Sequence, residues 1–158
     1  MAILESELRQ ARNWSADAKG SIHDDATAGK LGFRGGTVAG SIHMDQFPPL
    51  LLGCFGERFF RDGALSLYFL NATVDRESVR AYAEEPSSGS TQVRVWMKRE
   101  DGLDVSEGTA SVGDASKSAL RERDLRACDP SELRMLRGLA PGTPLGETKV
   151  RLGPERQR

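Results

Sequence analysis

The two histidines of this 158-residue chain, His23 and His43, lie in one stretch that also contains a diglycine turn and a glycine-introduced apolar segment. Residues 23–55 have the sequence HDDATAGKLGFRGGTVAGSIHMDQFPPLLLGCF. An imidazole can take up or release a proton near neutral pH, and free backbone amides at a helix start can hold a polarised carbonyl oxygen. No other stretch of the sequence combines these two features. We therefore expect the chemistry of the protein here.

Two helices are predicted to position these groups. Residues 24–31 can form the first helix, with His23 at its entrance. The second helix begins near Gly40, after the diglycine turn, and either Thr37 or Ser41 can cap it. The free amides at this second start carry partial positive charge, and they suit an anion or a developing oxyanion.

The second helix is also predicted to carry much of the core. Its apolar side chains are those of Ile42, Phe47, Leu50, Leu51 and Phe55. Two consecutive prolines follow Phe47 and disfavour the α conformation before them. We therefore expect a kink or a restart of the helix near Phe47.

After this helix the hydrophobic period changes to that of strands. Alternating apolar residues at 65–70, 79–84, 93–98 and 105–112 predict a four-stranded antiparallel meander. The segment from Ile3 to Trp14 instead has helical spacing and is predicted to form a short amphipathic helix. A long helix against an antiparallel sheet is an α+β layer arrangement.

Three short motifs occur in order around the histidines. They are SIHDD at residues 21–25, LGFRGG at 31–36 and VAG at 38–40. This order resembles the overhang and central helix of MaoC-like hotdog hydratases and dehydratases. The resemblance covers residues 17–115 and implies a hotdog fold, in which an antiparallel sheet is wrapped around a central helix.

The resemblance also implies roles for individual residues. His23 matches the catalytic histidine of the family, Asp25 its later acidic residue, and Gly40 the glycine whose amide helps to hold the thioester carbonyl. The catalytic Asp of the family stands five residues before the histidine, where this chain has Ala18. Asp17, one residue earlier, is then the candidate partner of His23.

Four further residues complete the predicted substrate-binding site. Ser41 is a second amide donor, Arg34 can bind a phosphate, and His43 can face the same pocket from the helix. Asp45 is included because many hotdog thioesterases carry their catalytic carboxylate on the central helix. Three of them have a structural alternative: a surface turn for Arg34, core packing for His43 and solvent exposure for Asp45. The structural alternative for His23 is to cap the following helix or to bond to a backbone carbonyl.

The family resemblance implies reversible hydration of an enoyl thioester, or dehydration of a 3-hydroxyacyl thioester, carried on coenzyme A or an acyl carrier protein. Such a lyase needs no metal and no redox cofactor. Two alternatives are hydrolysis of an acyl thioester directed by Asp45, and non-catalytic binding of an acyl chain or another small ligand. A homodimer is predicted because pairing can cover the exposed sheet edge and complete the acyl pocket.

Composition excludes several other classes of protein. The hydrophobic fraction of 38% suits a soluble domain, and no segment approaches the roughly 20 apolar residues that cross a bilayer. Without a signal-peptide pattern, cytoplasmic placement is expected. The net charge of −1 and the lack of regularly spaced aromatics argue against nucleic-acid binding. Two cysteines without CxxC spacing support neither a zinc site nor a disulfide framework.

The chain is predicted to divide near its last quarter. Residues 1–116 form the hotdog domain, and residues 117–158 form a polar C-terminal extension with 10 Lys and Arg against 6 Asp and Glu. The extension either packs on the hotdog domain or begins a second half. A strand predicted at residues 148–152 could supply the sheet strand that precedes the overhang in hotdog domains.

Overall fold

The structure is a computed structural model that describes residues 2–114 without a gap. It also describes residues 116, 118, 121, 124, 129, 131, 139–144, 146, 147 and 149. Residues 1–123 form one compact unit and residues 124–158 form another. The strand predicted at 148–152 lies outside the described residues except for Lys149.

A six-stranded antiparallel sheet dominates the first unit. The strands are β1 (Ile3–Glu5), β2 (Arg9–Gln10), β3 (Gly63–Phe69), β4 (Ser78–Glu84), β5 (Gln92–Arg99) and β6 (Asp104–Val112). Their order across the sheet is β1-β4-β5-β6-β3, and β2 also pairs with β4. The sheet therefore has β3 along one edge and the two short N-terminal strands along the other.

The N-terminal segment forms these two edge strands, so the amphipathic helix predicted there is wrong. Leu4 pairs with Ala83, and Arg9 pairs with Val79. Between the two strands, Ser6 keeps contact with β4, since its amide donates to the Ala81 carbonyl and its Oγ accepts from the Ala81 amide. Because the edge strand is interrupted, its apolar residues do not alternate regularly. Their spacing in this segment therefore resembled that of a helix.

The four strands predicted after the central helix are all present, but their order differs from a simple meander. Strands β4, β5 and β6 follow one another, whereas β3 pairs with β6 instead of β4. Gly108 permits this pairing, because a Cβ atom there would lie 1.9 Å from the Ser66 carbonyl oxygen. Residues 70–77 then carry the chain from β3 at one edge to β4 on the other side of the sheet.

Four short helices precede β3: α1 (Asp25–Lys30), α2 (Gly40–Met44), α3 (Pro48–Phe55) and α4 (Arg58–Asp62). The predicted restart near Phe47 is confirmed, because α2 ends at Met44 and Pro48 opens α3. The predicted side-chain caps of α2 are wrong. Ala39 occupies the cap position, and Thr37 instead directs its hydroxyl to the Ile22 carbonyl oxygen.

The core lies between α3 and the sheet. Phe47 and Leu51 are fully buried, and Val79, Val95 and Met97 of β4 and β5 are buried with them in one cluster. Burying an aliphatic or aromatic side chain of this size contributes about 1.5–3 kcal/mol. This packing fixes α3 on the sheet and thereby sets the position of α2. Among the described helices, none is long and apolar enough to cross a membrane.

Candidate active site

A cavity of about 350 Å³ lies where the entrance to α1, the start of α2 and the segment after β3 meet. Its polar side chains are His23, Thr37, His43, Asn71 and Thr73. Its other lining residues are Ile22, Phe33, Val38, Gly40, Phe69, Leu70 and Ala72. The fold thus brings both histidines to one cavity, which is lined largely by apolar residues.

The His23 ring is held in a defined protonation pattern by a backbone carbonyl. Its Nδ1 atom lies 2.7 Å from the Thr37 carbonyl oxygen. A carbonyl oxygen only accepts hydrogen bonds, so Nδ1 carries the hydrogen and Nε2 of the neutral ring has the free lone pair. The half-buried ring lines the cavity and is therefore set up to act as a base at Nε2.

The main chain of His23 is fixed as well. Its amide donates to Ser21 Oγ at 3.2 Å, and its carbonyl oxygen accepts from Asn13 Nδ2 at 2.8 Å. Gly36 packs directly on this carbonyl, since a Cβ atom at Gly36 would lie 2.1 Å from the His23 oxygen. The second glycine of the diglycine turn is thus required by this close approach of two backbone segments.

Thr37, whose carbonyl orients His23, is anchored on both sides. Its amide and its hydroxyl both donate to the Ile22 carbonyl oxygen, at 2.9 and 3.1 Å. It also forms an isolated antiparallel bridge with Val74, next to a hydrogen bond of 2.9 Å from the Val38 amide to the Thr73 carbonyl oxygen. We call residues 21–37 the overhang. The overhang is consequently pinned to residues 70–77, which link β3 and β4.

His43 occupies the same cavity in a different environment. It is only 2% exposed, and its Nε2 atom lies 2.7 Å from Thr73 Oγ1. Its Nδ1 atom is buried and has no hydrogen-bond partner in the part of the chain that the structure describes. Burial lowers the pKa of His43 from 6.5 to about 4, so this ring is neutral at pH 7.

Gly40 lies at the first position of α2 and lines the cavity. A Cβ atom there would lie 2.9 Å from the Phe69 ring, so the absence of a side chain lets this ring cover the helix start. No side chain caps the helix, and the first amides of any helix lack intrahelical acceptors. The Gly40 amide therefore has no hydrogen-bond acceptor within α2.

Asp25 and Arg34 contact other protein groups and do not line this cavity. The Asp25 carboxylate accepts from the Gly36 amide at 2.7 Å and so supports the diglycine turn. Arg34 makes a bidentate contact with Glu77, at 2.8 and 3.0 Å, and lines a neighbouring cavity of about 280 Å³. The predicted phosphate ligand therefore already has an anionic partner.

Three other predicted residues do not line the cavity. Asp17 is exposed in the turn that precedes the overhang, Ser41 is exposed in the first turn of α2, and Asp45 is exposed at the end of α2. Among the described residues, no Asp or Glu lines the cavity. Nor do the described residues include a group of three or more His, Cys, Asp or Glu placed to bind a metal.

The sequence did not point to Thr37 or Thr73 as members of the site. Thr37 acts through its backbone carbonyl, which every residue has, so its side-chain type gave no signal. Thr73 lies in the link between β3 and β4, far from His43 in sequence, and only the pairing of this link with the overhang brings the two together.

No protein-family model matches the chain, and no curated protein matches it in sequence. The structure of unliganded R-hydratase PhaJ1 from Pseudomonas aeruginosa aligns with 70% of this chain and 78% of its own, with a TM-score of 0.50 and 14% identity. The chain has a hotdog fold. The predicted α+β class is thereby confirmed, and the resemblance to MaoC-like hotdog proteins is confirmed as a likeness of fold.

Two further solved structures align with this chain at lower TM-scores. The (R)-hydratase from A. caviae involved in PHA biosynthesis covers 71% of this chain and 93% of its own, with 16% identity and a TM-score of 0.47. The C-terminally truncated HadBC (3R-hydroxyacyl-ACP dehydratase) complex from Mycobacterium tuberculosis covers 69% of this chain and 92% of its own, with 16% identity and a TM-score of 0.44.

Proposed function

We propose that this protein is a MaoC-like lyase that hydrates enoyl thioesters and, in reverse, dehydrates 3-hydroxyacyl thioesters. The observation that carries the proposal is the hydrogen bond from His23 Nδ1 to the Thr37 carbonyl oxygen, which leaves Nε2 as a base at the cavity. The fold supports it, because PhaJ1, which shares the fold, is an R-hydratase.

In the hydration direction, His23 Nε2 accepts a proton from a water molecule as the water oxygen bonds to C3 of the enoyl group. The C2–C3 π electrons move toward the thioester carbonyl and give an enolate. The Gly40 amide, at the start of α2, donates to the enolate oxygen. The Thr37 carbonyl stabilises the imidazolium, because it continues to accept from Nδ1–H.

The second proton transfer, to C2, is also assigned to His23. None of the described residues that line the cavity is an Asp or Glu, so no carboxylate among them is placed to deliver that proton. The imidazolium formed in the first step holds a proton at Nε2 and can give it to C2 from the same face. The catalytic role predicted for Asp17 remains a prediction, and the Asp17→Ala variant tests it.

Several finer properties belong to the proposal. The substrate is carried on coenzyme A or an acyl carrier protein, the protein works in the cytoplasm without nucleic-acid or membrane partners, and the active form is a homodimer. Strand β3 lies at an edge of the sheet, which favours pairing with a second copy. Light scattering at micromolar concentration should give the dimer mass, and a monomer mass would contradict it.

A second candidate function is non-catalytic binding of an acyl or other small ligand. The lack of a cavity-lining carboxylate among the described residues favours it. Thioester hydrolysis directed by Asp45 has less support, because Asp45 is exposed and does not line the cavity.

A panel of substrates separates these functions. Enoyl, 3-hydroxyacyl and saturated acyl thioesters of several chain lengths are incubated with the wild type and with the Asp17→Ala and Asp45→Ala variants. Water addition and release of free thiol are followed separately. The proposal predicts water addition without thiol release in all three proteins.

The other outcomes each identify a different function. Thiol release that depends on Asp45 would establish a thioesterase. Saturable binding with neither reaction at any chain length would establish a binding module. Loss of hydration in Asp17→Ala would restore this carboxylate as the partner of His23 and contradict the assignment of both proton transfers to one histidine.

A further inference from the structure

Glu77, which immediately precedes β4, accepts hydrogen bonds on both oxygens of its side chain. Its Oε1 accepts from Arg34 Nη1 at 2.8 Å and from Arg99 Nη1 at 2.9 Å. Its Oε2 accepts from Arg34 Nη2 at 3.0 Å and from the Val74 amide at 2.9 Å. The Glu77 side chain is 19% exposed and the Arg34 side chain is 55% exposed, so the carboxylate is the shielded partner in these charge-assisted contacts.

The two chain segments that Glu77 joins are the two that meet at the Thr37 bridge. Val74 is the bridge partner of Thr37, and the Glu77 amide also donates to the Val74 carbonyl oxygen at 3.2 Å, which closes a tight turn. Arg34 lies in the turn that leads into Thr37 on the opposite side. The Glu77 carboxylate therefore contacts both segments that the Thr37–Val74 bridge joins. The carbonyl of Thr37 in this bridge orients His23.

The charge state of Glu77 agrees with a role in holding these two segments together. Burial raises the pKa of Glu77, but the hydrogen bonds from Arg34 and the Val74 amide, together with the charges of Arg34 and Arg99, lower it below its ordinary value. The carboxylate is consequently charged at neutral pH. Arg99, which also donates to Asp101, is the last residue of β5, so its contact with Glu77 attaches this carboxylate to the end of that strand.

We propose that Glu77 and Arg34 are positioning residues, which hold Thr37 so that its carbonyl keeps His23 in the Nδ1–H form. Neither residue touches the substrate, and the assignment extends the function proposed above for His23. Replacing the carboxylate by an amide removes its charge and one acceptor atom. The bridge then loosens, and His23 samples the form in which Nε2 carries the hydrogen and cannot accept a proton.

The test combines a structural readout with kinetics. Ring ¹⁵N chemical shifts, assigned to His23 by comparison with the His23→Ala variant, report which nitrogen carries the hydrogen. The wild type should show the Nδ1–H form alone, whereas Glu77→Gln and Arg34→Gln should show a mixture of the two forms. The kcat for hydration should fall by about 10-fold to 100-fold, with KM changed by less than about twofold.

Asp62→Asn is the matched control. It removes a carboxylate from an ion pair of similar chemistry, with Arg58, that lies outside the cavity. It should leave both the ¹⁵N shifts and kcat at wild-type values. Thermal unfolding of every variant shows that the measurements are made on folded protein.

The outcomes separate this inference from the function on which it rests. Unchanged His23 shifts in folded Glu77→Gln would overturn the positioning role, as would a change in KM alone. A wild-type protein without hydratase activity, in which Glu77→Gln still mixes the two ring forms, would remove the proposed function and keep the positioning role.

Discussion

His23 and His43 line the same cavity, yet the protein holds the two rings in opposite ways. His23 lies on the overhang, half-buried, with Nδ1 donating to a backbone carbonyl. His43 lies in α2, fully buried, with Nε2 on a threonine hydroxyl and with burial lowering its pKa to about 4. One ring therefore keeps a defined basic nitrogen at the cavity, and the other is kept neutral.

The two histidines differ in the hydrogen-bond partner that the fold gives each ring. A backbone carbonyl accepts only, so it selects a single tautomer of His23. A hydroxyl can donate or accept, so it selects none for His43. The overhang is accordingly the part of the site whose geometry fits proton transfer.

The largest effect is expected at Gly36, beneath His23. A methyl group there meets the backbone oxygen of His23, which cannot rotate away. Gly36→Ala should lower the free energy of unfolding by about 3 kcal/mol and abolish hydration, because overpacking against fixed atoms displaces the overhang. Urea denaturation and the hydration assay measure the two effects.

Gly29→Ala is the matched control for this substitution. A Cβ atom at Gly29 meets nothing within 4 Å, and Ala in a helix is favoured over Gly by about 0.5–1 kcal/mol. This variant should be as stable as the wild type or slightly more so. Wild-type stability in Gly36→Ala would show that Gly36 does not pack directly on the His23 carbonyl.

The second prediction concerns pH and His43. Its pKa is about 4 in the folded protein against an ordinary 6.5, so the unfolded chain binds the proton more readily. The neutral ring contributes up to about 3 kcal/mol to the free energy of unfolding. This contribution is complete above pH 6.5 and is lost as the pH falls toward 4.

His43→Gln isolates this contribution from the other groups that titrate in acid. Free energies of unfolding are measured between pH 7 and 4 for both proteins. The wild type should lose more stability than the variant over this range. Equal losses would mean that His43 does not remain neutral in the folded state, and the contrast between the two histidines would fail.

The smallest effect is expected at Gly40, where α2 starts. A methyl group there approaches the Phe69 ring, which is 41% exposed and can move aside. Gly40→Ala should change the free energy of unfolding by less than about 1 kcal/mol. The KM of a thioester should rise about threefold to tenfold, because the displaced ring occupies part of the cavity.

Gly53→Ala, in α3, provides the comparison for Gly40→Ala. A Cβ atom at Gly53 meets nothing within 4 Å, and this residue does not line the cavity. Its KM should equal that of the wild type. An unchanged KM in Gly40→Ala would show that the approach of Phe69 to the helix start does not shape substrate binding.

The sequence predicted the parts of the fold that depend on local pattern. The four strands from Gly63 to Val112, the helix at Asp25–Lys30 and the restart after Phe47 follow from alternation, capping and proline chemistry. The edge strands β1 and β2 and the pairing of β3 with β6 did not follow, since they depend on long-range pairing that leaves little local signal.

The candidate site was predictable to a similar degree. The motif order pointed to His23 and Gly40, and both line the cavity together with His43. Asp17, Ser41 and Asp45 do not line it, because spacing along a chain does not determine which way an exposed turn or a helix face points. Glu77 gave no signal, since its contacts with Arg34 and Val74 exist only after the overhang meets the β3–β4 link.

The central claim is that His23 is the base, and the hydration rate of its alanine variant tests it most directly. His23→Ala is assayed with an enoyl thioester that the wild type hydrates, in the presence and absence of added imidazole. A general base of this kind contributes about 10²–10⁴-fold, so a loss of that size is predicted in a folded protein, with partial recovery in imidazole. Hydration at the wild-type rate in folded His23→Ala would contradict the account.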